Sequence, residues 1–219
     1  MNHVRSRISH AAQTAGRDPD SVTLIAVSKA KPAELLRAAA TAGVTDFGEN
    51  YLQEALGKMD QLGPAALHWH FIGGLQSNKT RGIAERFEWV HSVDRFSIAR
   101  RLSEQRPFHA PPLNVCLQVA LVPELTKGGV EPANLAELAL RTAELPRLRL
   151  RGLMCVPPPQ PDVGAERSVF ACLRVLLEDL NAMGLKLDTL SMGMSADFES
   201  AIAEGATHVR IGTAIFGNR

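Results

Sequence analysis

Residues 188–213, DTLSMGMSADFESAIAEGATHVRIGT, contain one complete unit of the pattern that runs through this chain. The unit begins with a short apolar strand, Asp188–Ser191, and continues through a loop rich in glycine and serine. A helix over Ala196–Glu204 follows, and Ser195 is its expected N-cap. The next strand, His208–Ile211, completes the unit. A strand, a covering helix and another strand in this order are typical of α/β proteins with parallel sheets.

The same alternation extends over the whole chain. Apolar or β-branched runs recur, several of them continuous, as is typical of buried parallel strands. Amphipathic stretches with the helical i, i+3, i+4, i+7 spacing separate them. The predicted strands are Val22–Ser28, Val44–Phe47, His68–Ile72, Trp89–Ser92, Leu113–Ala120, Leu148–Met154, Asp188–Ser191 and His208–Ile211. The predicted helices are Val4–Ala15, Pro32–Ala42, Tyr51–Asp60, Ser77–Arg86, Arg95–Arg106, Pro132–Leu145, Ala165–Met183 and Ala196–Glu204.

Eight strands alternating with seven helices, after one extra N-terminal helix, predict an α/β fold: a single (β/α)8 TIM barrel. About 200 residues is the practical minimum for this fold. The 219 residues therefore leave little room for a second domain, and we expect one domain over 1–219. A doubly wound open sheet is the alternative, but it usually has a glycine-rich loop after its first strand. Here that loop, residues 28–32, reads SKAKP.

The composition is that of an ordinary globular protein. Lys+Arg is 24 and Asp+Glu is 23, so the net charge of +1 argues against binding nucleic acid through its phosphates. No apolar run approaches the roughly 18 residues that span a bilayer, and the N-terminus lacks the apolar core of a signal peptide. Cys116, Cys155 and Cys172 are widely spaced and show no disulfide framework. We expect a cytoplasmic monomer with reduced, half-buried thiols and no membrane partner.

Polar residues lie where the predicted strands end. In a barrel, the carboxyl ends of all strands meet at the face that carries the chemistry. Lys29 follows the first strand and Asn50 follows the second. Because Lys29 ends an apolar run, we expect its ammonium group in the barrel mouth, where a desolvated lysine can form a Schiff base with a carbonyl compound. A lysine that reaches out to solvent is the alternative.

The loops after strands seven and eight contain groups that suit a phosphate. Barrels often bind phosphate at this place. The loop Ser191–Ser195 offers two hydroxyls and a glycine, and Arg210–Thr213 adds a hydroxyl, a glycine and a cation. Two ordinary capped turns are the alternative. A Schiff-base lysine together with a phosphate site is what pyridoxal 5′-phosphate (PLP) requires, and Arg210 is the candidate partner of the pyridine nitrogen.

These residues lie in stretches that resemble the pyridoxal phosphate homeostasis protein family. The resemblance extends from the first strand to the last residue. The matching stretches are Leu24–Pro32 (LIAVSKAKP), Phe47–Glu54 (FGENYLQE), Trp69–Lys79 (WHFIGGLQSNK), Val90–Arg95 (VHSVDR), Gly152–Met154 (GLM) and Leu190–Arg219. After strand five, Ala120 stands where the family often has an asparagine, whereas Lys127 matches the lysine of the family's pattern.

The resemblance implies a barrel similar to the N-terminal domain of alanine racemase, the fold type III of PLP proteins. It implies intracellular PLP homeostasis, with the cofactor attached to Lys29 and delivered to PLP-dependent apoenzymes. Ser195 is an alternative to Ser191 as the serine that contacts the phosphate. We also expect Lys31, Lys79 and Lys127 to place positive charge near the rim. The candidate cofactor-binding residues are Lys29, Asn50, His70, Ser191, Ser195, Arg210, Gly212 and Thr213.

The residues favour a cofactor-binding protein over a catalyst. Racemisation on a barrel of this type takes two bases, the lysine and a tyrosine from a second domain. The single tyrosine of this chain, Tyr51, begins a predicted helix, where we expect it to pack. Arg81 and Arg95 are candidates for binding a substrate carboxylate, but nothing in the sequence singles them out. We therefore expect no catalytic residues, and a weak racemase-like PLP enzyme is the alternative.

A metal-dependent hydrolase is the alternative from another class. His68 and His70 are two positions apart on a strand, so their imidazoles share a face. Such a site would take further ligands at other strand ends, where His91 and Asp94 are available. His208 lies at the start of strand eight, at the opposite rim. The ligand number and geometry are therefore unsupported, and we expect no metal site.

Overall fold

The computed structural model describes residues 1–122 and 128–217. Parallel strands close into a barrel in sequence order, and β8 pairs with β1. The strands are β1 Thr23–Val27, β2 Asp46–Glu49, β3 His68–Phe71, β4 Trp89–Val93, β5 Leu113–Gln118, β6 Leu148–Met154, β7 Thr189–Ser191 and β8 His208–Ile211. The α-helices are α1 Asn2–Thr14, α2 Ala33–Thr41, α3 Leu52–Leu62, α4 Thr80–Arg86, α5 Phe96–Gln105, α6 Pro132–Ala143, α7 Val163–Ala182, α8 Phe198–Ala203 and α9 Thr213–Phe216. This confirms the predicted (β/α)8 barrel and its leading helix.

The helices cover the barrel with the apolar faces that their periodicity predicts. In α7, the buried side chains are Phe170, Leu173, Leu177 and Leu180, which recur on one side of the helix. Among the described residues, no helix is long and apolar enough to cross a membrane. Strand β5 ends at Gln118 rather than at the predicted Ala120, because the Ala120 N–H donates to Val130 O outside the barrel sheet.

The prediction that Ser195 caps α8 is wrong. The N-cap is Asp197, and the helix begins only at Phe198. The Asp197 Oδ1 accepts a hydrogen bond from Met194 N at 2.5 Å, and Phe198 N donates to Met194 O at 3.0 Å. These two bonds form a turn before the helix and leave Ser195 outside it.

Helix α1 fastens the amino-terminal end of the chain to α8. Its buried face carries Val4, Ile8 and Ala12. Arg7 Nε donates to Glu199 Oε1 at 2.7 Å, and just after the helix the Arg17 guanidinium donates to two carbonyl oxygens near the end of α8. Since β1 and β8 are neighbours, this helix strengthens the seam at which the barrel closes.

The lower interior of the barrel contains aromatic and histidine rings. His70 stacks on Trp89 with ring centroids 5.6 Å apart, and the ring centroids of His208 and Trp89 are 5.0 Å apart. The Arg151 guanidinium lies 4.9 Å from the Trp89 ring. Burial lowers the pKa of His70 and of His91, and it lowers the pKa of His208 to about 3. These histidines are therefore neutral at physiological pH.

The buried histidines make the fold sensitive to acid. In the unfolded chain a histidine takes up a proton near pH 6.5, whereas in the fold it stays neutral to a lower pH, so stability is lost as the pH falls below about 6.5. We expect the stability advantage of the wild type over His208→Phe to shrink by about 1.4 kcal/mol per pH unit between pH 6 and 4. Urea unfolding of both proteins across this range measures it. A difference in the free energy of unfolding that stays constant with pH would contradict the conclusion that His208 is neutral in the folded protein.

Candidate functional site

A cavity of about 370 Å³ opens at the carboxyl ends of the strands. Its wall contains most of the polar residues predicted to meet at the strand ends. Other parts of its wall are apolar, including Val27, Ile72 and Val156. The predicted site residues that line it are Lys29, Asn50, Ser195, Arg210, Gly212 and Thr213.

The pairing of β1 with β8 sets the floor of this cavity. The register joins Ala26 to Ile211, so the residues that follow the two strands come together. A Cβ on Gly212 would lie 3.3 Å from Val27 O, which is tighter than an ordinary contact. Glycine at this position lets the backbone after β8 approach β1 closely.

Lys29 lies in a tight turn at the end of β1. The turn is closed by Lys31 N donating to Ser28 O at 3.1 Å. Its next residue, Ala30, has φ of 57°, a left-handed conformation that costs a non-glycine residue roughly 1–2 kcal/mol. The Ala30 N–H donates to Glu54 Oε1 at 2.6 Å. The turn is therefore held in place by α3.

A buried ion network anchors the same turn from below. Lys58 Nζ contacts Glu49 Oε1 at 2.6 Å, Glu54 Oε1 at 2.5 Å and Ser28 O at 2.6 Å. The Ser28 hydroxyl donates to Glu49 Oε1 at 2.6 Å. Burial raises the pKa of Glu49, and the hydrogen bonds from Lys58 and Ser28 oppose that rise. One buried ammonium thus joins the ends of β1 and β2 to α3, next to Lys29.

This network was not predicted from the sequence, although part of its pattern is visible there. Glu54 and Lys58 are four residues apart on a predicted helix, the spacing of an ion pair. Glu49 ends a buried strand, and a buried carboxylate needs a cation or a hydrogen-bond donor beside it. What the sequence could not show is that this helix turns its Lys58 inward under the first strand.

The loop after β7 lies close to both α8 and β8. Gly193 has φ of 91°, and a Cβ there would lie 2.6 Å from the Ala201 Cβ, so only glycine fits. Its carbonyl oxygen accepts from Arg210 N at 3.0 Å. Ser195, in this loop, lines the cavity, as does the hydroxyl-bearing residue Thr213 that follows β8.

Arg210 also lines the cavity, and it is only 5% exposed. Its Nη1 donates to Ser191 Oγ at 2.8 Å, and its Nη2 donates to Cys155 O at 2.8 Å. Burial lowers the pKa of Arg210, but an arginine keeps its charge at neutral pH. The guanidinium is therefore fixed in one orientation beside the cavity.

The structure places two candidate residues beneath the cavity rather than in its wall. Ser191 Oγ lies between Arg210 and His91, with its distance to His91 Nδ1 at 2.8 Å. His70 contacts His91 at 2.9 Å on one side and Asp46 at 3.0 Å on the other. Both side chains are completely buried. The alternation of side chains along a strand shows which face a residue is on, but not how far along the barrel axis it lies. It could therefore not show that Ser191 and His70 lie beneath the cavity.

The lysines expected near the rim differ in position. Lys31 lines the cavity, and its Nζ donates to the carbonyl oxygens of Phe216 and Gly217 at 3.2 and 3.1 Å. Lys79 is the N-cap of α4 and is not part of the cavity wall. Lys127 lies outside the described residues. Ala120, which replaces the family's asparagine, also lies away from the cavity.

The residues that a catalyst would need besides Lys29 are exposed or paired with other groups. Tyr51 is 57% exposed at the N-cap of α3, so the expectation that it packs is wrong. Arg95 donates to Asp94 Oδ1 at 2.6 Å and to Leu75 O at 3.1 Å. Arg81 pairs with Glu85 on the surface of α4. The cavity wall contains none of these side chains.

The histidine pair considered as a metal site does not gather the ligands for one. His68 and His70 both contact Asp46 Oδ1, but the His68 side chain is 60% exposed while His70 is buried. Across residues 1–122 and 128–217, no group of three or more His, Cys, Asp or Glu side chains is arranged to hold a metal ion. Burial raises the pKa of the Cys116 and Cys155 thiols to about 12, so both are neutral thiols at neutral pH.

Comparisons with known proteins place the chain in a family. Residues 1–219 match the family "Alanine racemase, N-terminal domain". A pyridoxal phosphate homeostasis protein from Pseudomonas aeruginosa is 62% identical, over 99% of this chain and 93% of that protein. One from Escherichia coli K12 is 51% identical, over 100% of this chain and 95% of that protein.

A solved structure shows the same barrel. PipY from Synechococcus elongatus PCC7942, with PLP bound, has a TM-score of 0.86 and 41% sequence identity. The match covers 96% of this chain and 100% of PipY. The fold, the cavity and these full-length similarities agree with one another. The chain belongs to the pyridoxal phosphate homeostasis protein family, whose barrel is that of the alanine racemase N-terminal domain.

Proposed function

We propose that this protein binds PLP and serves PLP homeostasis, holding the cofactor and passing it on. One observation carries the proposal: a single cavity brings together a lysine, a buried arginine and two hydroxyl-bearing residues beside a glycine. The Asn50 Oδ1 is buried beside this cavity with no hydrogen-bond partner among the described residues, so a polar ligand suits it. PipY, similar over nearly its whole length, has been solved with PLP bound.

Each part of PLP has a matching group in the cavity. Lys29 supplies the amine for a Schiff base, and the rigid Ser28–Lys31 turn aims it at the cavity. Arg210 would donate to the pyridine nitrogen and disfavour protonation of the ring, which would make the ring a weaker electron sink. Ser195, Gly212 and Thr213 would hold the phosphate. When bound, PLP supplies an aldehyde carbon that exchanges between amines.

Holding and delivery suit this cavity better than catalysis. Tyr51, the second base that racemisation would require, is exposed and is not part of the described cavity wall. The whole chain, 1–219, acts as one PLP-binding domain and is a cytoplasmic monomer. The open mouth would give the amine of an apoenzyme access to the cofactor, and Lys29 would supply the amine that is exchanged.

Replacing Lys29 tests the attachment. Wild type mixed with PLP and reduced with borohydride is expected to carry a stable adduct on Lys29, detected by mass spectrometry of the peptide, because reduction fixes a Schiff base. Lys29→Ala is expected to show neither the adduct nor a visible absorbance band.

Lys31→Ala is the matched control, because Lys31 lines the same cavity but its Nζ is held by carbonyl oxygens. It is expected to keep the adduct on Lys29. An adduct on Lys31 in the wild type, or a band that persists in Lys29→Ala, would contradict the assignment.

Removing Lys58 tests whether the buried network prepares Lys29. Lys58→Met leaves Glu49 buried without its cation, which is expected to lower the free energy of unfolding by about 3 kcal/mol or more. The double variant Glu49→Gln/Lys58→Met removes both charges and is expected to recover much of that loss. Both variants are expected to capture PLP more slowly than the wild type, since the turn has lost the hydrogen bond from Lys58 to Ser28 O.

Urea unfolding and stopped-flow absorbance measure the two effects separately. The double variant is decisive, because it is expected to recover much of the stability while its turn still lacks the hydrogen bond from Lys58 to Ser28 O. If it captured PLP at the wild-type rate, the network would stabilise the fold without preparing Lys29.

A further inference from the structure

A chain of buried hydrogen bonds crosses the barrel interior from the cavity to the amino end of β2. Arg210 Nη1 lies 2.8 Å from Ser191 Oγ, which lies 2.8 Å from His91 Nδ1. His91 Nε2 lies 2.9 Å from His70 Nδ1, and His70 Nε2 lies 3.0 Å from Asp46 Oδ1. The members come from β2, β3, β4, β7 and β8. We call these five residues the polar spine.

The chemistry of Arg210 and Asp46, at the two ends of the polar spine, determines which atoms donate in the two terminal hydrogen bonds. A guanidinium only donates, so Ser191 Oγ accepts from Arg210. Burial alone would raise the pKa of Asp46, but hydrogen bonds from His70 and Thr45 lower it to about 2. Asp46 is therefore a carboxylate, which only accepts, and His70 must carry its proton on Nε2.

The remaining protons follow in sequence. His70 is neutral, so its Nδ1 has a lone pair and accepts from His91 Nε2–H. The neutral His91 then has a lone pair on Nδ1, which accepts from the Ser191 hydroxyl. Every donor in the polar spine points from Arg210 towards Asp46. Hydrogen bonds in such a one-way chain polarise and strengthen one another.

We propose that Asp46, His70 and His91 are positioning residues for Arg210, which they hold at the cavity through Ser191. The carboxylate sets the direction of the chain, the chain presents a lone pair of Ser191 to Nη1, and the guanidinium is thereby fixed where the pyridine nitrogen of PLP binds. The inference rests on the proposed function for the role of Arg210, but the order of protons does not.

The proton order is tested first, on the wild-type protein without added PLP. Histidine-selective 15N NMR is expected to show His70 and His91 neutral, each with a proton on Nε2 and a lone pair on Nδ1, between pH 6 and 8. A proton on Nδ1 of either ring, or a positive charge on either, would overturn the chain. This measurement needs no variant and so does not depend on how variants fold.

The positioning role is tested by matched variants of two buried histidines. His91→Phe breaks the polar spine, whereas His208→Phe alters the same ring cluster but not the spine, because His208 Nδ1 pairs with Thr207 Oγ1. His91→Phe is expected to bind PLP about tenfold or more weakly, the effect of losing a hydrogen bond to a charged group. His208→Phe is expected to stay within about twofold of the wild type.

Equal weakening in both variants would show a merely structural role and overturn the proposal, as would wild-type affinity in His91→Phe. Borohydride labelling of the wild type separates this inference from the proposed function. If Lys29 is labelled in the wild type but His91→Phe binds PLP normally, the proposed function stands and the positioning role fails. If Lys29 is not labelled, the proposed attachment fails whatever the histidine spectra show.

Discussion

The pairing of β8 with β1 is the contact on which the site depends. It brings the turn that carries Lys29 next to Gly212 and Thr213, which come from the other end of the chain. Helix α1 and the Arg17 guanidinium, which bonds to carbonyl oxygens beside the last strand, hold this seam closed. Without closure the two halves of the cavity would not meet, because neither half contains both the amine and the residues suited to a phosphate.

Two buried polar networks hold the charged groups of the cavity in place. The Lys58 ammonium holds the turn of Lys29, and the polar spine holds the guanidinium of Arg210. Burying a charged group is costly unless its hydrogen bonds are made. Each network therefore favours the one arrangement of side chains in which those hydrogen bonds form. The partners lie beneath or beside the cavity, and its wall is left to meet a ligand.

The sequence predicted the barrel and most of the cavity wall for the same reason. Periodicity locates strands and helices, and a parallel barrel sends every strand end to one face. Lys29, Asn50 and Gly212 could therefore be placed without coordinates. Ser195, a candidate phosphate-binding residue, lines the cavity but does not cap α8, because the Asp197 carboxylate, two residues later, accepts the Met194 N–H.

The sequence did not predict how far along the barrel axis each residue lies, or how neighbouring strands are staggered. His70 and Ser191 are on the inner face of their strands, as alternation requires, but only the stagger between strands decides that they meet His91 and not the cavity. The polar spine needs five strands in one particular register. The Glu54–Lys58 pair was visible as a helical spacing, yet its contact with Ser28 O depends on how α3 packs.

The transfer of PLP to an apoenzyme tests the central claim most directly. The protein, loaded with PLP, is mixed with the apo form of a PLP-dependent enzyme in the presence of a scavenger that consumes free PLP. We expect the enzyme to regain activity faster than the loaded protein alone releases PLP to the scavenger, because the open mouth would admit the incoming amine directly. Recovery no faster than that release, or its complete loss to the scavenger, would contradict delivery from the Lys29 cavity.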